Sequence, residues 1–190
     1  MKKIVMVMIA LLLCVPAVLA QDNDYNHGEI GVFANYFRLQ HAKENFVGIG
    51  GRFGFNVHPN VQLEAEMAYD FERNVSTDLP LPGGTPNTFV RSPLRLVHGL
   101  FGPKFQVGTG AARVFVTAKG GFLNFSTNRV LSGQITGIPN GNTDGVFYPG
   151  GGFEIFGGPI GLRVEAGDEI YWDNGAHNNL RIAAGPQFRF

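Results

Sequence analysis

The sequence predicts an all-β chain that folds as an eight-stranded antiparallel up-and-down transmembrane β-barrel. Three observations carry that expectation. The segment from Leu180 to Phe190 sets Leu180, Ile182, Ala184, Pro186, Phe188 and Phe190 against Arg181, Ala183, Gly185, Gln187 and Arg189. A period of two with apolar groups on one face marks a strand between an oily and a polar medium. Seven further segments alternate in the same manner, and the chain opens on an export pattern.

Residues 1–20 read as a cleaved signal peptide and residues 21–190 as one outer-membrane β-barrel domain. Lys2 and Lys3 form the basic start, Ile4 to Val15 the apolar run, and Val18, Leu19 and Ala20 the small-residue pattern before Gln21. The run is shorter than the roughly 20 residues a spanning helix takes. Cys14, the single cysteine, follows Leu13 rather than the small residue a lipidation site wants, so the mature chain is expected to lack disulfide and thiol chemistry. Losing Lys2 and Lys3 leaves 13 Lys and Arg against 15 Asp and Glu, a net charge of −2 with no basic footprint for nucleic acid. No second apolar run is long enough for a spanning helix, so any membrane crossing is made by strands.

In chain order, Glu29 to Leu39 is a weakly alternating first strand. Next, Val47, Ile49, Gly51, Phe53, Phe55 and Val57 oppose Phe46, Gly48, Gly50, Arg52, Gly54 and Asn56. Val61 to Phe71 is the clearest case, with Val61, Leu63, Ala65, Met67, Tyr69 and Phe71 opposite Gln62, Glu64, Glu66, Ala68 and Asp70. Leu96 to Val107 follows, then Ala112 to Phe122, where Val114, Val116, Ala118 and Phe122 oppose Arg113, Thr117 and Lys119. Val146 to Phe156 comes next, then Ile160 to Ile170, with Leu162, Val164 and Ala166 opposite Arg163, Glu165 and Glu169, and the Leu180 to Phe190 strand closes the series.

The connections alternate in length. Short ones fall at His58 to Asn60, Gly108 to Ala111 and Gly157 to Pro159; longer ones fall at Gln40 to Asn45, Arg73 to Pro93, Ser126 to Asp144 and Trp172 to Asn178. Antiparallel order puts all short turns at one end, the asymmetry of outer-membrane barrels with short periplasmic turns and longer outer loops. The strands carry GGRFGF, GPKFQV, GGGFEIF and GPQFRF, beginning at Gly50, Gly102, Gly150 and Gly185. These glycines sit inside strand alternation rather than at the opening of a helix, so they predict bends and bare backbone under neighbouring aromatic rings, not a phosphate cradle.

The last eight residues resemble the C-terminal assembly signal of outer-membrane barrels, with Gly185 at its glycine position and Phe188 and Phe190 at its aromatic positions; Ala183 departs from the polar residue usual at its start. Signal peptide, strand count, loop asymmetry and terminal Phe190 together resemble the small OmpA/OmpX-like barrel family across the mature chain. The resemblance implies insertion by the barrel assembly machinery and residence in the bacterial outer membrane among its lipid. With nothing after Phe190, the peptidoglycan-binding domain of many OmpA proteins is expected to be missing.

Parity places Glu29, Glu64, Glu66, Asp70, Glu72, Glu154, Glu165 and Glu169 inward against Arg52, Lys104, Arg113, Lys119, Arg163, Arg181 and Arg189. An eight-stranded barrel has room inside only for side chains, and buried charges must pair. The expectation is therefore a lumen filled by an ion-paired network centred on Arg52, Glu64, Glu66, Arg113, Lys119, Glu154, Arg163, Glu165 and Arg181. No cofactor or catalytic group is expected. Deacylase-like barrels need a serine close to a histidine, which His98, Ser126 and Ser132 do not supply, and ten-stranded proteases need a longer chain. His41, His177 and Asp173 read as solvated loop residues rather than metal ligands. The expected role is structural or surface-interacting in the cell envelope, with a ligand met at loops 73–93 and 126–144. The alternatives are a narrow porin-like channel and, with less support from parity, a soluble barrel that binds an apolar ligand inside.

Overall fold

The computed structural model describes residues 27–79, 88–108, 111–127, 143–173 and 175–190. The expected signal peptide lies outside them. The described chain forms β1 (Gly28–Leu39), β2 (Glu44–His58), β3 (Val61–Leu79), β4 (Thr88–Val107), β5 (Ala112–Thr127), β6 (Thr143–Gly157), β7 (Ile160–Asp168), β8 (Ile170–Trp172), β9 (Ala176–His177) and β10 (Leu180–Arg189). Each barrel strand pairs antiparallel with the next, and β10 returns to β1 from Glu29↔Arg189 to Arg38↔Leu180. Closure removes both sheet edges. β7 and β8 are one barrel strand interrupted at Glu169, and β9 pairs only with β8, so ten segments make an eight-stranded barrel.

Short connections work as turn chemistry demands. Gly158, with φ +72°, and Gly108, with φ +122°, occupy the left-handed region that glycine enters without a Cβ penalty. The β1–β2 connection is tighter than expected: only Gln40 to Lys43 separate the strands, and Lys43 N donates to Gln40 O at 3.2 Å.

The largest departure from the sequence reading lies at the other end. The loop expected over Arg73 to Pro93 is mostly hairpin, because β3 and β4 stay in register from Arg73↔Leu94 to Leu79↔Thr88. β5 likewise runs on to Thr127 and β6 begins at Thr143, shortening the expected Ser126 to Asp144 loop. Arg73–Leu79 lacks the apolar alternation that marks a strand in the sequence, yet keeps residues such as Val75 and Thr77 that suit one. The rest of these two loops lies outside the described residues.

Alternation holds at side-chain level. Val32, Met67, Val116 and Leu162 point outward and are 60–63% exposed, whereas Glu64, Lys104, Lys119 and Arg181 point inward and are fully buried. A bulge between Asp70 and Arg73 breaks the parity of β3. Glu72, expected inside, is therefore outside and lies 3.4 Å from Arg95, with both side chains about half exposed.

Candidate functional site

The lumen has two storeys. In the half toward the short turns, all eight strands contribute to one band of charge. Arg113, from the start of β5, pairs with Glu29 of β1, whose other oxygen accepts from Lys104 Nζ at 3.1 Å. Lys104 also donates to Glu154 at 2.7 Å, and Arg163 pairs with Glu64, Glu154 and Glu165. Lys119 Nζ sits between Glu64, Glu66 and Glu165 at 3.0–3.1 Å. Arg52 Nε donates to Glu66 at 2.9 Å, and Glu66 also accepts from Arg181. Thus all nine residues expected in the charge network meet one another in the lumen. Arg189 lies at the turn-side mouth instead, donating from Nε to Gly158 O at 2.9 Å.

Glycines make room for this density. A Cβ at Gly50 would come within 2.3 Å of the Phe33 ring, one at Gly161 within 2.5 Å of Phe156, and one at Gly152 within 2.8 Å of Phe115. The rings lie on bare backbone, and cations cover them: Arg163 over Phe115 at 4.0 Å, Arg113 over Phe156 at 4.6 Å and Arg52 over Phe33 at 4.7 Å. Each cation therefore has both a carboxylate and a π-face, which offsets part of its desolvation.

His98, which the sequence presents only as a histidine without a nearby serine, completes the network. Its Nδ1 lies 2.7 Å from Glu169 Oε1 and its Nε2 3.0 Å from Asp70 Oδ2. Asp70 Oδ1 accepts from Asn35 Nδ2 at 2.7 Å, and Asn35 Oδ1 accepts from Arg181 Nε at 2.9 Å, tying the histidine to the charge band. Carboxylates accept at both ring nitrogens, a geometry matched by the double-donor, positively charged ring. With that charge, seven buried carboxylates (Glu29, Glu64, Glu66, Asp70, Glu154, Glu165, Glu169) face seven cations (Arg52, His98, Lys104, Arg113, Lys119, Arg163, Arg181). The parity shared with Leu96, Leu100 and Lys104 could have placed His98 inside.

Above His98 the lumen changes character. Phe37, Leu39, Phe46, Leu94, Leu96, Leu100, Leu123 and Phe125 form one buried cluster with Val146, Tyr148 and Tyr171. The expected ion-paired filling occupies the turn side of the lumen, and packed hydrocarbon roofs it on the loop side.

The residues that resemble the assembly signal lie along the second half of β10, ending at the turn-side rim. Gly185 packs its bare Cα against β1, where a Cβ would meet Val32 O at 2.0 Å. Phe188 and Phe190 point outward at the turn-side rim with rings nearly parallel, centroids 6.3 Å apart. At the opposite end His41 meets the His177 ring edge to face at 5.2 Å, and His177 stacks on Tyr171 at 4.9 Å. Among the described residues no group of three His, Cys, Asp or Glu side chains could hold a metal ion.

No protein-family model matches the sequence, and no curated protein does. Solved structures match it. OprG, an outer membrane protein from Pseudomonas aeruginosa, aligns with a TM-score of 0.54 at 11% identity, over 87% of this chain and 96% of that one. The fold is that of the small outer-membrane β-barrels. Ail, the attachment invasion locus protein of Yersinia pestis, solved in complex with the heparin analogue sucrose octasulfate, aligns at 0.51 and 11% identity over 87% and 97% of the chains. Neisserial surface protein A aligns at 0.51 and 9% identity over 86% and 96%. These barrels share strand number and closure with this chain at identities that leave its lumen residues its own.

Proposed function

We propose that this chain is a bacterial outer-membrane protein, exported through a signal peptide cleaved before Gln21, whose barrel is a sealed anchor and whose loop-side rim interacts at the cell surface. The filled lumen carries the reading: a charge band under a packed apolar roof supports an anchor more than a conduit. The outward belt that includes Val32, Met67, Val116 and Leu162 supports residence in lipid, since so continuous an apolar face in water would associate. The carboxylates of Glu29, Glu64, Glu66, Asp70, Glu154, Glu165 and Glu169 each have a cation or His98 against them, which supports a structural, non-catalytic lumen.

The β3–β4 hairpin supports a surface role. β2 stops pairing with β3 at Gly48↔Asp70 and β5 stops pairing with β4 at Leu94↔Thr127, so among the described residues Arg73–Leu79 and the strand opposite it have no outer neighbours. Free backbone edges can take up an extended segment of a partner. At the other rim, Gly185, Phe188 and Phe190 are the residues the barrel assembly machinery would grip, a role supported by the outward position of both rings.

Single cysteines test location and orientation, because Cys14 leaves with the signal peptide. With a membrane-impermeant maleimide on intact cells, Gln40→Cys is expected to label and Pro159→Cys to label only after the outer membrane is permeabilised. The reverse pattern would invert the orientation. Labelling of neither site before permeabilisation would remove surface exposure.

A further inference from the structure

We infer that His41 and His177, brought together at the loop-side rim, form a binding site for one divalent transition-metal ion of zinc type, with the two imidazoles as the chain's own ligands. The inference goes beyond the surface role proposed above and does not depend on it, because the site needs only the folded rim.

The fold draws the pair from distant stretches of chain. His41 lies in the β1–β2 turn and His177 in β9, and their ring centroids stand 5.2 Å apart with the ring planes at 85°. Two imidazoles bonded to one tetrahedral zinc at about 2.0–2.1 Å hold their centroids about 5.2 Å apart. The two rings thus already stand at the separation a shared metal requires. His41 is exposed, so its ring can turn a nitrogen toward the common point.

His177 is held as a ligand is held in a built site. Its Nε2–H donates to the Asp173 carbonyl oxygen at 2.9 Å, so in the neutral ring the lone pair sits on Nδ1. The ring stacks on Tyr171 at 4.9 Å with planes 20° apart, and Tyr171 is itself packed into the apolar roof. Buried Asn179 then ties the two histidine-bearing connections together: its Oδ1 accepts from Gln40 N at 3.1 Å and its Nδ2 donates to His177 O at 3.0 Å. Ligands placed in advance leave little ordering to oppose binding.

Charge favours a cation at this point. Asp144 lies within electrostatic reach of both Asp173 and His177, and its buried Oδ2 accepts from no group among the described residues. A divalent ion on the imidazoles offsets both acids. Nitrogen ligands select zinc, copper or nickel over magnesium and calcium, which take oxygen. With two protein ligands, the other two positions of the tetrahedron are left to solvent.

Zinc binding by the purified chain from Gln21, folded in detergent without an affinity tag, tests the site. In competition with a chromophoric chelator, one zinc per chain should be retained, and a roughly hundredfold excess of magnesium or calcium should not displace it. His41→Ala and His177→Ala should each weaken binding at least tenfold, since even a residue that only supports a ligand is worth about 10-fold to 100-fold. His58→Ala, which removes an exposed histidine at the opposite end, should leave binding unchanged. In nitrogen-15 NMR of the unaltered chain, zinc should shift His177 Nδ1 while Nε2 keeps its proton. No retained zinc, displacement by calcium, binding undiminished in either rim variant, or an unmoved Nδ1 resonance overturns the proposal, and the spectrum decides it even where a variant fails to fold.

Discussion

Replacing Glu66 by alanine is expected to destabilise the barrel by about 3–5 kcal/mol, the range for breaking a buried ion pair from one side. Glu66 accepts from Arg52 Nε at 2.9 Å, Lys119 Nζ at 3.0 Å and Arg181 Nη1, all of them at most 8% exposed. Without it Arg181 keeps Asn35, the Tyr148 and Phe33 rings at 5.3 and 5.7 Å, and a carboxylate oxygen of Glu169 at 3.6 Å, and the described charge network holds seven cations for six acids. An uncompensated guanidinium in that interior costs more than the contact itself was worth, since the desolvation already incurred is no longer offset. Glu72→Ala, in the same strand, removes a half-exposed partner of Arg95 and should cost no more than about 1 kcal/mol. Urea unfolding of both variants in lipid vesicles measures the contrast. Equal shifts would mean that the charge band contributes nothing particular to stability.

Met67→Arg is expected to cost about 2–4 kcal/mol in a bilayer, and Val57→Arg about 0–1 kcal/mol. Both residues point outward, Met67 at 60% exposure in the middle of the span and Val57 at 49% beside the β2–β3 turn. Depth alone separates them: a guanidinium at mid-membrane must drag water inward, while one at the rim reaches the headgroups. Refolding into vesicles at graded urea reads both values. In a detergent-free aqueous setting neither change should hurt, so a penalty confined to Met67 in lipid identifies the solvent that this face meets.

Much of this architecture can be read from residue order, and the exceptions have physical causes. Strand alternation is strongest where lipid and charge face opposite sides, as in Val61 to Phe71, and there parity alone places Glu64, Glu66 and Asp70 inside. It fades where the lumen itself turns apolar. In β4, inward Leu94, Leu96 and Leu100 interleave with outward Val97 and Phe101, so period two disappears although the strand persists. The apolar roof was therefore invisible to a rule that equates the inner face with polarity. Glu72 was misplaced by the bulge between Asp70 and Arg73, a one-residue slip that moves later side chains to the other face. His98 was judged by its sequence neighbours, whereas its partners Asp70 and Glu169 come from 28 and 71 residues away.

The sealed lumen is the central claim, and conductance of the purified chain in planar bilayers tests it most directly. An ion entering from the turn side meets the Arg113, Glu29 and Lys104 pairs, then the Glu66 and Arg181 layer, and finally a roof in which Phe37, Leu39, Phe46, Leu94 and Leu96 are fully buried. Insertion without steady current is the result predicted. Stable open-channel currents from the folded, unmodified barrel would contradict it and make the chain a channel.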